Sequence, residues 1–234
     1  MNTSSEYSYV GSELGLFFNA VNWKKYWSAR LREVLRGDVL DVGAGLGSTF
    51  DYLYDAARSW TCLEPDASLC RLLDERLSGS PAPPRVVHGT LCELNSDERF
   101  DTILYIDVLE HIENDRAEVE LASRHMRPGG RLVVLSPAIP FLYSEFDRSV
   151  GHFRRYTAAS LEELTPEGSV VESCYYLDGL GALASLFARV AKRSLPTRGQ
   201  IETWDKVILP ASRRTDFLTT RHFGRTIVMI WRMD

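Results

Sequence analysis

This chain of 234 residues is short of several things, and each shortage narrows what it can be. Its four cysteines, Cys62, Cys70, Cys92 and Cys174, form no C-x-x-C pair, so zinc-type spacing is missing and a reducing compartment fits. Positive charge is in deficit, 27 Lys and Arg against 32 Asp and Glu for a net of −5, which argues against nucleic acid as a partner of the whole chain. No apolar run reaches bilayer length, and no N-terminal stretch joins a basic segment to an apolar one and a small-residue cleavage site, so the expectation is a soluble, cytoplasmic protein. No grouping of His, Asp and Glu along the chain has metal-ligand spacing, and metal-independent chemistry is expected.

What is present suffices for a sizeable core: 44% of residues are hydrophobic and 11% aromatic, within reach of a single domain. Charge is unevenly spread. From Ser185 onward ten Lys or Arg face four Asp or Glu, net +6, leaving −11 for residues 1–184. A basic C-terminal region on an acidic body points to an anionic partner there.

The organising stretch is Val39-Leu40-Asp41-Val42-Gly43-Ala44-Gly45-Leu46-Gly47-Ser48, an apolar strand feeding a helix through a turn whose glycines permit positive φ and close backbone approach. Before it, a helical pattern runs from Ser12, a plausible N-cap, to about Leu35, with Gly37 as its stop. Its stripe of Trp23, Tyr26, Trp27, Leu31 and Val34 reads as core, with a lid over the glycine turn as the functional alternative. Ser59–Glu64 reads as the second strand, and Glu64, at its carboxyl end twenty-one residues after Gly43, occupies the place of a ribose-binding acid. Asp66 caps the following helix, Ala67 to Leu77. A strand at Arg85–His88, a turn at Gly89-Thr90-Leu91, a buried strand at Phe100–Ile106 and polar Asp107-Val108-Leu109-Glu110-His111-Ile112 follow. A helix from Glu113 to Met126 closes at Arg127-Pro128-Gly129-Gly130, and Arg131–Ser136 is another buried strand. This alternation predicts an α/β fold with a doubly wound, mostly parallel seven-stranded sheet, an antiparallel C-terminal strand at its edge and an N-terminal helical cap, with ligands at the strands' carboxyl ends. The expected division is one domain: cap 1–37, cofactor-binding core 38–136, and substrate-side loop with C-terminal helices and strands 137–234.

Leu40 to Gly47, Glu64, Phe100-Asp101 with Val108 to Ile112, and Arg127 to Leu132, in register over about residues 38–136, resemble the class I S-adenosylmethionine-dependent methyltransferases, in particular the Rossmann-like small-molecule group. A pyrophosphate-binding turn needs G-x-G-x-x-G, and here Ser48 stands at the third glycine's place, which disfavours a nucleotide-dependent oxidoreductase. A non-catalytic S-adenosylmethionine-binding partner subunit is the other alternative. The resemblance implies S-adenosylmethionine as cofactor, S-adenosylhomocysteine as product, and cofactor contacts at Gly43, Ala44, Gly45 and Gly47, with Asp41 attracting the ammonium or ordering the loop around it. It implies further contacts at Glu64 for the ribose, at Pro65 or Asp66 and Leu91 flanking the adenine, at Thr90, where the family often has an acid, for the adenine amino group, and at Ile106 and Asp107 beside the methyl. Asp101, at the start of its strand, reads as structural.

The acceptor is expected to be a small molecule offering a hydroxyl, amine or carboxyl, anionic, glycosylated or lipid-linked. The connection after Ser136 carries Tyr143, Arg148, His152, Arg154, Arg155 and Tyr156. Its Gly151 to Thr157 segment resembles one in bacterial methyltransferases encoded near glycosyltransferases. The arginines suit a carboxylate or phosphate, or else pin the loop to Glu145 and Asp147. His152 is the first candidate base and His111 the second. The helix Gly179 to Arg193, with Arg189, Lys192 and Arg193 at its end, reads as a core helix, with a membrane-surface element as the less favoured alternative.

Overall fold

The computed structural model describes residues 19–190, 197–220 and 222–234. The expected helix start at Ser12, and Lys192 and Arg193, lie outside the described residues.

Largely apolar runs form a seven-stranded sheet: β1 (Asp38–Val42), β2 (Ser59–Glu64), β3 (Arg85–His88), β4 (Phe100–Ile106), β5 (Met126–Pro137), β6 (Ser169–Leu177) and β7 (Thr226–Met233). The order is β3-β2-β1-β4-β5-β7-β6. Strands β1 to β5 pair in parallel, and β7 runs antiparallel to both β5 and β6. The antiparallel strand is therefore not the edge: β7 inserts between β5 and β6, because its run Ile227 to Trp231 is apolar on both faces and is buried throughout, as an interior strand requires.

Helices cover both faces. On one lie α1 (Val21–Leu31), α2 (Ser48–Leu53) and α3 (Ala67–Leu77), whose Trp27, Phe50 and Leu73 pack with Val39, Leu104 and Ile230. On the other, α4 (Asp115–Ser123) and α6 (Ala158–Glu162) pack Val119 and Leu161 with Leu40, Ile103 and Trp231. A short α5 (Glu145–Ser149) lies within the connection after β5.

Three sequence expectations change. The first helix ends at Leu31, and Gly37 instead sits at φ +53 before β1, where a side chain would collide with Asp101. The Arg127 to Gly130 segment is not a helix stop. It belongs to β5, which begins at Met126 and absorbs Gly129 at φ +72 as an irregularity. Residues 197–220, unassigned from the sequence, are helical: α8 (Arg198–Thr203), a π-helical stretch Trp204–Ile208, and α9 (Leu209–Thr219), which packs on α7 (Gly179–Val190).

This C-terminal layer is stitched to the first helix by two buried aspartates. Asp205 accepts from the backbone N–H groups of Asn22 and Trp23, at 3.2 and 2.8 Å, at the start of α1, where helix donors have no partner of their own. Asp216 accepts from Tyr26 Oη at 2.6 Å and from the N–H groups of Asp178 and Gly179 at 2.7 and 2.9 Å. Asp205→Ala strands those α1 donors and should cost about 1–3 kcal/mol, lowering Tm by roughly 2–10 °C in a thermal melt. An unchanged Tm contradicts the stitching role.

Candidate functional site

One cavity of about 430 Å³ opens at the carboxyl ends of β1, β2, β4 and β5. Its floor is the glycine turn. Gly43 takes φ +65, and a Cβ there would come within 2.8 Å of Val108, so no other residue fits without displacement. The N–H groups of Gly43 and Ala44 both donate to Leu63 O, at 2.8 and 3.1 Å. Gly45 N–H donates to Glu64 Oε2 at 2.8 Å, and Asp66 N–H to Oε1 at 2.9 Å. Burial raises the Glu64 carboxyl above its usual range despite those two backbone donors.

Of the residues expected at a cofactor, Gly43, Ala44, Gly45, Glu64, Pro65, Thr90, Ile106 and Asp107 line this cavity. Asp41, Gly47, Asp66 and Leu91 do not, each for a local reason. Asp41 points behind the turn, 1% exposed, with Oδ2 lacking any hydrogen bond among the described residues. Burial pushes its carboxyl up to about 8, partly offset by the Trp60 indole alongside, and Glu64 adds to the rise. Gly47 instead lets α3 approach, since a Cβ there would meet Leu73 and Arg76. The Asp66 side chain accepts from the Ser68 and Leu69 N–H groups as the N-cap of α3. Leu91 is buried in the core beside Val87 and Phe100.

Trp23, Lys24 and Trp27 of α1 roof the same cavity, and Lys24 Nζ donates to Ser48 Oγ at 2.9 Å. The tryptophan stripe is therefore both core and lid. Trp204 completes the roof, its ring 5.7 Å from that of Trp23.

The far end of the cavity is polar. His111, His152, Arg155, Glu110 and Asp107 line it. Asp147, fully buried, accepts from Arg155 Nε at 2.8 Å and from Arg155 Nη2 at 3.1 Å, and its Oδ1 lies 3.0 Å from His152 Nδ1. Burial alone would raise the Asp147 carboxyl, but hydrogen bonds from His152 and Arg155 hold it well below the usual carboxylate range. An ionised carboxylate only accepts, so Nδ1 of His152 carries a proton, and in the tautomer with that single proton the lone pair falls on Nε2. The His111 ring stands edge-on to His152 with centroids 4.6 Å apart, and burial, reinforced by His152, lowers its pKa to about 4. Burial likewise raises the carboxyls of Asp107, held at φ +55 at the end of β4, and of Glu110, whose Oε1 has no hydrogen-bond partner among the described residues while Oε2 accepts from Ser136 Oγ.

The other residues expected at a substrate face away. Arg148 pairs with Glu145 on the exposed surface of α5. Arg154 Nη1 pairs with Asp115 at 2.6 Å, where Tyr156 Oη also donates at 2.8 Å, and Tyr143 Oη donates to His152 O at 2.6 Å. Arg154, Tyr156 and Tyr143 pin the connection, whereas Arg155 both pins it and reaches the cavity. Glu110, His111 and His152 each bring one donor atom within 4.8 Å of the others, a grouping invisible in the spacing because the two histidines lie forty-one residues apart. Lys24, Trp204 and Arg225, on elements without any local motif, also escaped sequence reasoning.

A family model described as "Methyltransferase domain" matches residues 40–134. A Mycolicibacterium smegmatis protein named "Probable S-adenosylmethionine-dependent methyltransferase" is 31% identical over 192 residues, covering 76% of this chain and 72% of that protein. This chain belongs to the S-adenosylmethionine-dependent methyltransferases. Its fold matches an S-adenosylmethionine-dependent methyltransferase of Clostridium acetobutylicum at TM-score 0.59 and 11% identity, covering 94% of this chain and 95% of that one. It also matches a chain of the complex between the Trm112 methyltransferase activator and a methyltransferase of Haloferax volcanii, at TM-score 0.64 and 17% identity, covering 94% and 92%. The protein is thus an enzyme that uses S-adenosylmethionine as methyl donor, and among the described residues no helix is long and apolar enough to cross a membrane.

The cavity suits that cofactor. It presents no G-x-G-x-x-G cradle for a pyrophosphate, and it offers an acceptor carboxylate at Glu64, backbone at Gly43–Gly45, and the Asp107 and Glu110 carboxyls at the end of β4. The raised Asp41 carboxyl has a consequence for stability. The folded methyltransferase holds that proton between about pH 4 and 8 while the unfolded chain releases it, so stability falls as pH rises through that window. Asp41→Asn keeps the shape and removes the titration. The ligand-free variant should melt above the wild type at pH 8, by on the order of 1–3 kcal/mol, and converge with it near pH 4; parallel pH profiles contradict the assignment.

Proposed function

We propose that this methyltransferase transfers the methyl group to a hydroxyl, amine or carboxyl of a small-molecule acceptor held in the cavity, with His152 as general base. In this reading the cap, core and C-terminal region act as one catalytic unit, in the cytoplasm, with no nucleic-acid partner. The observation that carries it is the Asp147–His152 pair: Nδ1 is fixed by an ionised carboxylate, and Nε2 has no hydrogen-bond partner among the described residues of a cavity-lining ring.

When bound, S-adenosylmethionine supplies a methyl carbon made electrophilic by positive sulfur. The chain's own groups hold and align. Gly43 to Gly45 take the methionine part with backbone, Glu64 accepts from the ribose hydroxyls, and Pro65 and Thr90 flank the adenine. Lys24 faces the tail carboxylate, and Asp107 faces positive charge at the end of β4. Trp23, Trp27 and Trp204 exclude water, which strengthens every charge interaction inside. His152 Nε2 takes the proton of a hydroxyl as it attacks, or of an ammonium before the freed amine attacks, and Asp147 stabilises the imidazolium that results. Arg155 keeps Asp147 ionised and so acts as a positioning residue.

A second reading has one observation in its favour, the convergence of Glu110, His111 and His152, which would suit a divalent cation. Both readings are tested on S-adenosylhomocysteine release, with an acceptor found in a panel of hydroxylated and aminated small molecules. His152→Ala should lower kcat about 10²- to 10⁴-fold with S-adenosylhomocysteine affinity unchanged, and raising the pH should recover rate as the acceptor ionises unaided. Wild-type activity should survive a chelator. Normal turnover in the variant sinks the base assignment, and a chelated enzyme rescued by added divalent cation reassigns the three residues as ligands.

A further inference from the structure

Arg225 immediately precedes β7, where its backbone is fixed on both sides: its C=O accepts from Ala138 N–H at 2.8 Å and its N–H donates to Asp178 O at 3.1 Å. Its side chain lies over the Trp204 ring, 4.5 Å from the centroid, and lines the cavity at the polar end. The charged groups around it come from four elements. Asp178, before α7, spends its carboxylate on Trp204 Nε1 at 2.7 Å and Gly181 N–H at 3.0 Å. Asp147 is committed to Arg155, His152 and Ser144. Asp107 faces the same cavity from the end of β4, and Arg155 adds a like charge.

Among the described residues no ion pair within 4.0 Å and no hydrogen bond reaches the Arg225 guanidinium, so its contacts are the aromatic face and the cavity. A guanidinium carries five N–H donors in a planar fork. An aromatic face satisfies its charge but none of those donors. Water in an open cavity can serve them, but an acceptor that fills the space removes that water and strands a buried cation unless it brings its own anion.

We propose that Arg225 is the acceptor-recognition residue and that the acceptor carries a carboxylate, bound by the Arg225 guanidinium beside Trp204. This rests on the methyl-transfer reading of the same cavity. A carboxylate fits better than a phosphate because one guanidinium is uncommitted: it matches one planar monoanion, and a dianion would keep unpaired charge in a dry site. Arg155 cannot take the role without surrendering Asp147. The selected substrates are therefore hydroxy or amino acids in the broad sense, small molecules with a methylatable group at one end and a carboxylate at the other.

The test uses the full chain saturated with S-adenosylhomocysteine and probes it with sodium benzoate, its neutral counterpart benzamide, and inorganic phosphate, reading binding by thermal shift and calorimetry. Benzoate should bind and raise Tm while benzamide does not, and phosphate should bind at least tenfold more weakly than benzoate. Arg225→Met should weaken benzoate at least tenfold, Arg225→Lys should be intermediate, and Arg148→Gln, a change at a surface arginine, should match wild type. S-adenosylhomocysteine affinity in every variant reports folding. Loss of that affinity in the wild type itself defeats the methyl-transfer reading. With the cofactor product bound, equal benzoate and benzamide binding, no benzoate binding, tighter phosphate, or an Arg225→Met variant that binds benzoate normally overturns the proposal.

Discussion

The tether between the glycine turn and the end of β2 is the constraint on which the site depends. Leu63 offers one carbonyl to two amides of the turn, and the Glu64 carboxylate bridges Gly45 on one side and Asp66 on the other. Without it the turn has no reason to hold three successive positive-φ glycines, and the start of α3 would lose its registration against the sheet. The same bridge keeps a carboxylate in a buried place with its acceptor capacity only half used, since each oxygen has a second lone pair. In the proposed function, structure and ligand recognition thus share one side chain.

At the other end of the cavity Asp147 has the corresponding place. It gathers Ser144, His152 and Arg155 from a connection with little regular structure, and Tyr143, Arg154 and Tyr156 fasten the same segment to Asp115 and to its own backbone. A connection so pinned can aim a histidine at a ligand with little freedom to lose, which is what alignment of two reactants requires. The two anchors are independent: one belongs to a strand end and a turn, the other to a loop.

Legibility in the sequence follows this division. The turn, Glu64, the Asp66 cap and the parallel strands were readable because each is a local pattern of periodicity, glycine and acid. The strand pairing of β7 inside the sheet was not, since an apolar run looks alike at an edge and in the interior. Arg127 to Gly130 misled because proline and glycine stop helices and also make strand irregularities. Arg148 and Arg154 had the right chemistry but neighbours, Glu145 and Asp115, that satisfied them first. Trp204 and Arg225 had no signal at all: they reach the cavity only through the packing of a helical layer and β7, contacts distant in sequence.

The most direct measurement of the central claim, that one cavity has a cofactor half set by Glu64 and an acceptor half set by Asp147, is a crystal structure with S-adenosylhomocysteine bound. The ribose hydroxyls should lie within hydrogen-bond distance of Glu64, the adenine between Pro65 and Thr90, and the sulfur toward Asp107 and His152. A ligand whose ribose sits away from Glu64, or whose sulfur points away from His152, would contradict the account.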